Sequence, residues 1–278
     1  MVKIENLKVE LDQTFHCGQN FRWKRQPDGS YLGNPAGHSV RAVRQGEELL
    51  LYGAKAEDEP FWRRYFDADS DYAALLAPVM DAHLQEALIR CPGIRLLDQP
   101  FFETLICFIL SANNNIARIT GIVERFCTIA SRDENGLHLF PTPQQVLSAG
   151  QDFVGSIGAG YRAPYLWEAA QRMDDGFDAD ALRSMDYEEA CKTIRTFKGV
   201  GEKVADCVLL FSCGQKSAFP VDTWVEKLLT QWYGMSGTRS GLKKQARAHF
   251  GSYGGLAQQM LFASAMQQRL RRTEEKNT

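Results

Sequence analysis

Residues 187–211 read YEEACKTIRTFKGVGEKVADCVLLF, and the fold turns on this stretch. Tyr187, Ala190, Cys191, Ile194 and Phe197 recur at three- and four-residue steps, apart from one adjacent pair, which defines one buried helix face. The chain then breaks at Lys198-Gly199-Val200-Gly201 and restarts as a helix with Val204, Ala205, Val208 and Leu209 facing inward. Two glycines bracketing one apolar residue make a tight hairpin with an uncovered backbone. The N–H groups of Gly199, Val200 and Gly201 lead into a helix start, where they can hold a phosphate oxygen without reading sequence. An ordinary interhelical turn has the same pattern, so the hairpin alone leaves both readings open.

Lys203 falls in the first turn of the second helix. Cys207 and Phe211 follow at i+4 and i+8, on a face distinct from the inward stripe. The helix dipole disfavours a cation there. With partial burial, the same field favours the neutral amine, which is the nucleophilic form. Downstream, Phe219-Pro220-Val221-Asp222-Thr223-Trp224 places Asp222 as the N-cap of another helix, because proline disfavours helix in the residue before it. A capping carboxylate is held ionised by the N–H groups it accepts from.

Outward from this pair, the chain divides in two. Phe101 to Ala112, opened by Pro100, is apolar nearly all round and suits a central helix. Further helices are expected over 115–129, 161–173 and 186–197, after Gly201, after Asp222 and over 254–269. A Pro- and Gly-punctuated stretch spans 135–160. Asp71 to Arg90 reads as a helix interrupted by Pro78 and stopped at Cys91-Pro92-Gly93. The first 60 residues read as an antiparallel meander, with strands at Leu7–Phe15, Asn20–Trp23, Val40–Arg44 and Leu49–Tyr52. The expected architecture is α+β: a small antiparallel β-rich domain, residues 1–96, packed on a larger all-helical domain, residues 97–278, that holds the helix–hairpin–helix.

A chain of 278 residues with 44% hydrophobic content can bury a real core. Its net charge of −2 argues against a general nucleic-acid coat but leaves room for a local basic face. Arg239 to Arg247, with Lys243 and Lys244 between, and Arg269, Arg271 and Arg272 are candidates, although a solvated helix face is the plainer reading of either run. The N-terminus has no apolar h-region, and no run approaches 18 uncharged apolar residues, so neither secretion nor membrane spanning is expected. Seven scattered cysteines form no CxxC pair and five histidines are isolated, so neither zinc, a catalytic metal nor a disulfide framework is expected and a reducing cytosol fits.

The Gly-Val-Gly hairpin, the lysine two residues on and the Pro-Val-Asp after it resemble the helix–hairpin–helix–GPD superfamily of DNA glycosylases. Within it, residues 111–121 (SANNNIARITG) resemble the signature of the 8-oxoguanine DNA glycosylase family. Residues 17–23 (CGQNFRW), 158–163 (GAGYRA) and 257–262 (AQQMLF) match further segments, in order over nearly the whole chain.

The resemblance implies a bifunctional glycosylase/AP lyase that flips 8-oxoguanine opposite cytosine out of duplex DNA and removes it. Lys203 would attack C1′, and Asp222 would stabilise the developing positive charge. The base would lie between Cys207 and Phe262, with Gln258 on its Watson–Crick edge and Phe211 lining the pocket, while the Gly18 carbonyl would accept the N7–H of the lesion. Asn113, Tyr161 and Arg162 would insert or stack in the gap, and Arg118 would contact the widowed cytosine. Two features depart from the family. Trp224 stands where many members have histidine, and Phe211 where methionine is common.

No cofactor is expected. The related iron–sulfur glycosylases carry four cysteines after the hairpin domain, and none follows Cys213; the hairpin carbonyls could take a structural cation. The expected form is a monomer without membrane contact, working at the bacterial nucleoid in the cytoplasm, or in the nucleus if the source is eukaryotic. Two rival readings are a non-catalytic helix–hairpin–helix binder of damaged DNA, which would not need Lys203 and Asp222, and a monofunctional glycosylase for alkylated bases, in which Asp222 activates water. Lys203 counts against the second.

Overall fold

In the computed structural model, the backbone is described for residues 1–277 and the side chains for residues 1–268. Five strands come first: β1 (Val2–Ile4), β2 (Lys24–Arg25), β3 (Tyr31–Gly33), β4 (Val40–Gln45) and β5 (Glu48–Tyr52). They form one antiparallel sheet in the order β1-β5-β4-β3-β2. The β4–β5 hairpin closes with Gln45 opposite Glu48, around Gly46 at φ +62°, a conformation glycine adopts without strain.

Two expected strands do not form. Within Leu7–Phe15 the chain winds into α1 (Leu11–Phe15), and Asn20–Trp23 stays irregular. Their alternation is satisfied by packing across the core instead of by strand pairing. Leu7, Val9 and Leu11 are buried, and Trp23 stacks on Phe15 with ring centroids 4.4 Å apart.

Helices make up the rest: α2 (Glu59–Tyr65), α3 (Tyr72–Leu76), α4 (Ala82–Arg90), α5 (Phe101–Ser111), α6 (Ile116–Cys127), α7 (Pro143–Ser156), α8 (Ala163–Asp174), α9 (Tyr187–Ile194), α10 (Glu202–Ser212), α11 (Thr223–Tyr233), α12 (Arg239–Phe250) and α13 (Gly254–Asn277). Helix α7 corrects the expectation of an irregular stretch over 135–160. Thr142 and Gln145 form a reciprocal capping box, Pro143 takes the first helical turn, and the break at Gly150 (φ +85°) hides the period.

The centre of the helical part is α5 against α10, each buried along most of its length, with Phe108 stacked on Phe211 at 5.5 Å. Helices α3 and α4 add Tyr72, Leu76, Leu84 and Ala87 to this same core, whereas Leu97 joins the core behind the sheet. The two parts therefore interlock around the segment joining α4 to α5. Buried Gln19 donates to the carbonyls of Thr14 and Arg95 at 2.8 Å each and accepts from the Leu97 N–H at 3.0 Å. Arg22 pairs with Glu103 at 3.1 Å across the junction. All seven cysteines are buried and free.

The basic run on α12 is not simply a solvated face. Lys243 lies 2.8 Å from the fully buried carboxylate of Asp206 on α10, and Arg247 pairs with Glu188 at 2.6 Å. Arg269, Arg271 and Arg272 lie outside the residues whose side chains are described. No helix among the described residues is long and apolar enough to cross a membrane.

Candidate active site

The hairpin sets the position of the lysine. Gly199 has φ +81°, and a Cβ there would stand 2.4 Å from the Tyr165 ring, so glycine is needed for both conformation and room. Gly201 caps α10 and leaves Lys203 in its first turn. Nζ of Lys203 donates to Ser111 Oγ, at the end of α5, at 3.1 Å and stands 5.2 Å from the centroid of Phe108. Asp222 caps α11 through one oxygen: Oδ1 accepts the N–H groups of Trp224 at 2.9 Å and Val225 at 2.8 Å. Neither bond uses Oδ2.

Lys203 and Asp222 line one cavity of about 720 Å³ with Gly18, Phe108, Ile116, Trp224 and Phe262. They also line a groove of about 670 Å³, shared with Gly199, Gly201, Asn113, Arg239 and Lys243. The amine thus stands where an apolar cavity meets a polar groove floored by the hairpin. A third cavity, of about 820 Å³, lies elsewhere, among Arg63, Asp67, Asp98 and Lys216. Their charges are engaged in ion pairs, including Arg183–Asp98 at 2.9 Å and Lys216–Asp67 at 2.8 Å.

The site residues expected from sequence fall into three groups. Gly18 (φ +76°) and Phe262 line the cavity with the lysine. The peptide ahead of Gly18 is held by Gln259, whose Nε2 lies 3.4 Å from the Cys17 carbonyl and 2.9 Å from its sulfur.

Cys207, Phe211 and Gln258 do not line the cavity. The face shared by Lys203, Cys207 and Phe211 is not distinct from the core, because α5 covers it, and burial pushes the Cys207 thiol up to about 11. Gln258 is buried one turn before Phe262 on α13, and its Oε1 has no hydrogen-bond partner.

The third group surrounds the mouth. Asn113 is exposed at φ +47°, Tyr161 is exposed, and Arg118 is exposed in the first turn of α6, where Asn115 caps its N–H at 2.9 Å. Arg162 corrects its expected role as an inserting residue. It is only 5% exposed. Its guanidinium donates to the carbonyls of Ala112 at 2.9 Å, Asn113 at 3.3 Å and Ala159 at 3.3 Å, and lies 4.3 Å from the Tyr161 ring centroid. A left-handed turn at Asn113 points carbonyls inward that need donors, and Arg162 supplies them. It therefore braces the loop and the tyrosine.

Beneath the groove, Tyr187 donates to Asp206 Oδ1 at 2.5 Å and Lys243 approaches Oδ2. Burial is the largest influence on Asp206 and raises its pKa to about 6, against the opposing pull of Lys243. Sequence reasoning did not assign sites to Ser111, Phe108, Ile116 or Gln259. Only Ser111, the one hydroxyl closing an apolar helix, carries a local signal. Among the described residues no three His, Cys, Asp or Glu side chains converge in a way that could hold a metal ion.

A helix–hairpin–helix that sets a lysine beside a helix-capping aspartate on one cavity, large enough for a nucleobase, defines a base-excision DNA glycosylase. Residues 1–105 match the 8-oxoguanine DNA glycosylase N-terminal domain, and residues 106–252 the HhH-GPD superfamily base excision DNA repair protein. The N-glycosylase/DNA lyase OGG1 of Arabidopsis thaliana is 31% identical, over 95% of this chain and 80% of that protein. MBOgg1 in complex with a low-affinity DNA ligand superposes with a TM-score of 0.91 at 31% identity, covering 96% of this chain and 95% of that one. The Clostridium acetobutylicum 8-oxoguanine glycosylase/lyase, in complex with double-stranded DNA containing cytosine opposite 8-oxoguanine, gives 0.89 at 34% identity, covering 95% of this chain and 93% of that one. The chain belongs to the 8-oxoguanine DNA glycosylase family.

Proposed function

We propose that Lys203 is the nucleophile with which this base-excision repair enzyme, a DNA glycosylase with lyase activity, removes 8-oxoguanine opposite cytosine. The observation that carries the assignment is the meeting of Lys203 and Asp222 at a cavity whose other walls, Gly18 and Phe262, come from opposite ends of the chain. Extrusion brings the damaged nucleotide to that cavity. Nζ attacks C1′, and the glycosidic bond breaks with its electron pair going to the base, which takes up a proton. Asp222 stabilises the positive charge developing on the sugar and accepts a proton from the amine. Opening of the sugar gives a Schiff base. Loss of a C2′ proton then expels the 3′ phosphate, and hydrolysis frees the lysine. The chemistry uses only an amine, a carboxylate and water.

Guanine presents N7 as an acceptor, whereas the lesion carries N7–H. Gly18 offers a carbonyl to that donor, and its left-handed conformation, steadied through Gln259, fixes the direction of the peptide. The buried Oε1 of Gln258, which lacks a partner, is suited to a donor on the base's Watson–Crick edge once the base enters. Cys207 and Phe211 act from behind the cavity, the first as a neutral thiol. Of the Gly199-Val200-Gly201 backbone, the N–H of Val200 already donates to the Phe197 carbonyl at 3.2 Å, so the N–H groups of Gly199 and Gly201 hold the phosphate, and a cation on the hairpin carbonyls would reinforce that grip outside the chemistry. Arg118 reads the cytosine, and Asn113 and Tyr161 fill the gap with Arg162 behind them. We place the work at the nucleoid of a bacterial cytoplasm, which suits seven free thiols.

Borohydride added to the protein with duplex DNA carrying 8-oxoguanine opposite cytosine tests this directly. A covalent adduct is expected. Lys203→Gln should lose the adduct and base excision together while still binding damaged DNA. Normal excision by Lys203→Gln would reject the nucleophile.

A further inference from the structure

Large exposed apolar side chains are few among the described residues, and two of them, Ile116 and Trp224, line the cavity that holds Lys203. A clustered apolar surface at a functional face marks a binding contact. Trp224 is the most telling. Its indole is 45% exposed although α11 and α13 offer an apolar interior close by. Its backbone N–H donates to Asp222 Oδ1 at 2.9 Å, which fixes the residue beside that carboxylate. It lines both the base cavity and the polar groove beside the hairpin. With Phe262 and Met266 it also walls off a smaller cavity of about 240 Å³.

A residue common to the base cavity and the strand groove stands where an extruded nucleotide leaves the duplex. Extrusion uncovers a stacking face on the neighbouring base of the same strand. Arg239 and Lys243, which share the polar groove with Trp224, are paired with Glu226 and Asp206 at 2.8 Å each. An aromatic plane meets an uncovered base without needing a free charge.

We propose that Trp224 is a DNA-contacting specificity residue that stacks on the base flanking the extruded nucleotide in the lesion-bearing strand. The inference rests on the reading of the Lys203 cavity as the excision site. Because the contact is neutral, it adds to affinity without adding to counterion release.

The test measures binding of lesion duplex across a salt series for the unmodified protein, Trp224→Ala and Trp224→Tyr. It is repeated on duplexes whose 5′ or 3′ flanking nucleotide lacks a base. Trp224→Ala should bind intact lesion DNA at least roughly tenfold more weakly with an unchanged salt slope, and Trp224→Tyr should recover most of the loss. Removing one flanking base should weaken the unmodified protein comparably and Trp224→Ala little. Equal affinity of Trp224→Ala and the unmodified protein would overturn the proposal. So would a loss that is the same with and without either flanking base, or a salt slope lowered by about one. Borohydride trapping in parallel separates the two readings. An adduct with no tryptophan effect rejects only the stacking contact, and the absence of any adduct rejects the excision site itself.

Discussion

In the proposed mechanism Asp222 carries two duties on one carboxylate, and its capping geometry allows them to be separated. Both capping bonds fall on Oδ1, from the N–H groups of Trp224 and Val225. Asparagine keeps that oxygen, so Asp222→Asn should retain the cap and lose only the charge–dipole term, about 0.3–1 kcal/mol. Asp222→Ala loses the bonds as well, about 0.5–2 kcal/mol for the cap alone. On the reaction the two should be alike, because each removes the negative charge that faces the developing cation. A preorganised electrostatic contact of this kind contributes about 2.7–4 kcal/mol to the barrier, or roughly 100- to 1,000-fold in rate. Urea unfolding midpoints and single-turnover excision from an 8-oxoguanine·cytosine duplex should therefore rank the variants differently. In stability, asparagine follows the unmodified protein; in rate, it follows alanine. Full activity in Asp222→Asn, or instability equal to that of Asp222→Ala, would refute the reasoning.

Two further expectations concern residues outside the nucleophile pair. Arg118 is exposed at the start of α6, and its forked donors match the N3 and O2 acceptors of cytosine, whereas adenine presents a donor at its edge. Excision should favour cytosine over adenine opposite the lesion by roughly 5- to 150-fold, and Arg118→Ala should narrow that ratio; equal single-turnover rates opposite the four bases in the unmodified protein would remove Arg118 from the reading. Lys243→Met leaves the buried Asp206 carboxylate without its counter-charge and should cost about 3–5 kcal/mol at alkaline pH. Asp206 already has its folded pKa raised from 3.8 to about 6, so the folded state binds more protons between those values and the cost of the ionised form is present above that window and absent below it. The loss in Lys243→Met should therefore shrink toward pH 4, and a pH-independent loss in denaturation experiments would contradict the pairing.

The hairpin and its lysine were legible because their signals are local: glycines at the turn, of which Gly199 is left-handed, a three- and four-residue period on either side, and proline ahead of a cap. The central helix α5 was legible because it is apolar all round. Local signals failed where tertiary packing decides. The alternation of Leu7, Val9 and Leu11 suits a strand equally well, but the sheet does not extend there and the side chains reach the core unpaired. Helix α7 carries its cap openly in Thr142-Pro143-Gln144-Gln145, yet Gly150 interrupts the period that would have confirmed it. At the site, residue type did not reveal direction. Arg162 turns inward to loop carbonyls, and Cys207 and Phe211 are covered by α5, because their partners lie about 50 to 100 residues away in sequence.

The burial of every cysteine has a consequence for when this enzyme can work. Oxidants attack thiolates, and an inaccessible thiol with a raised pKa is almost never in that form. Burial holds Cys17 and Cys127 up at about 12 and Cys207 and Cys213 at about 11. Guanine is oxidised most heavily when a cell is flooded with peroxide and radicals, the conditions under which an exposed cysteine would be lost to sulfenic acid. A folded chain with every cysteine sealed inside resists that corrosion, so thiol oxidation should spare its repair capacity while the lesions it removes are accumulating.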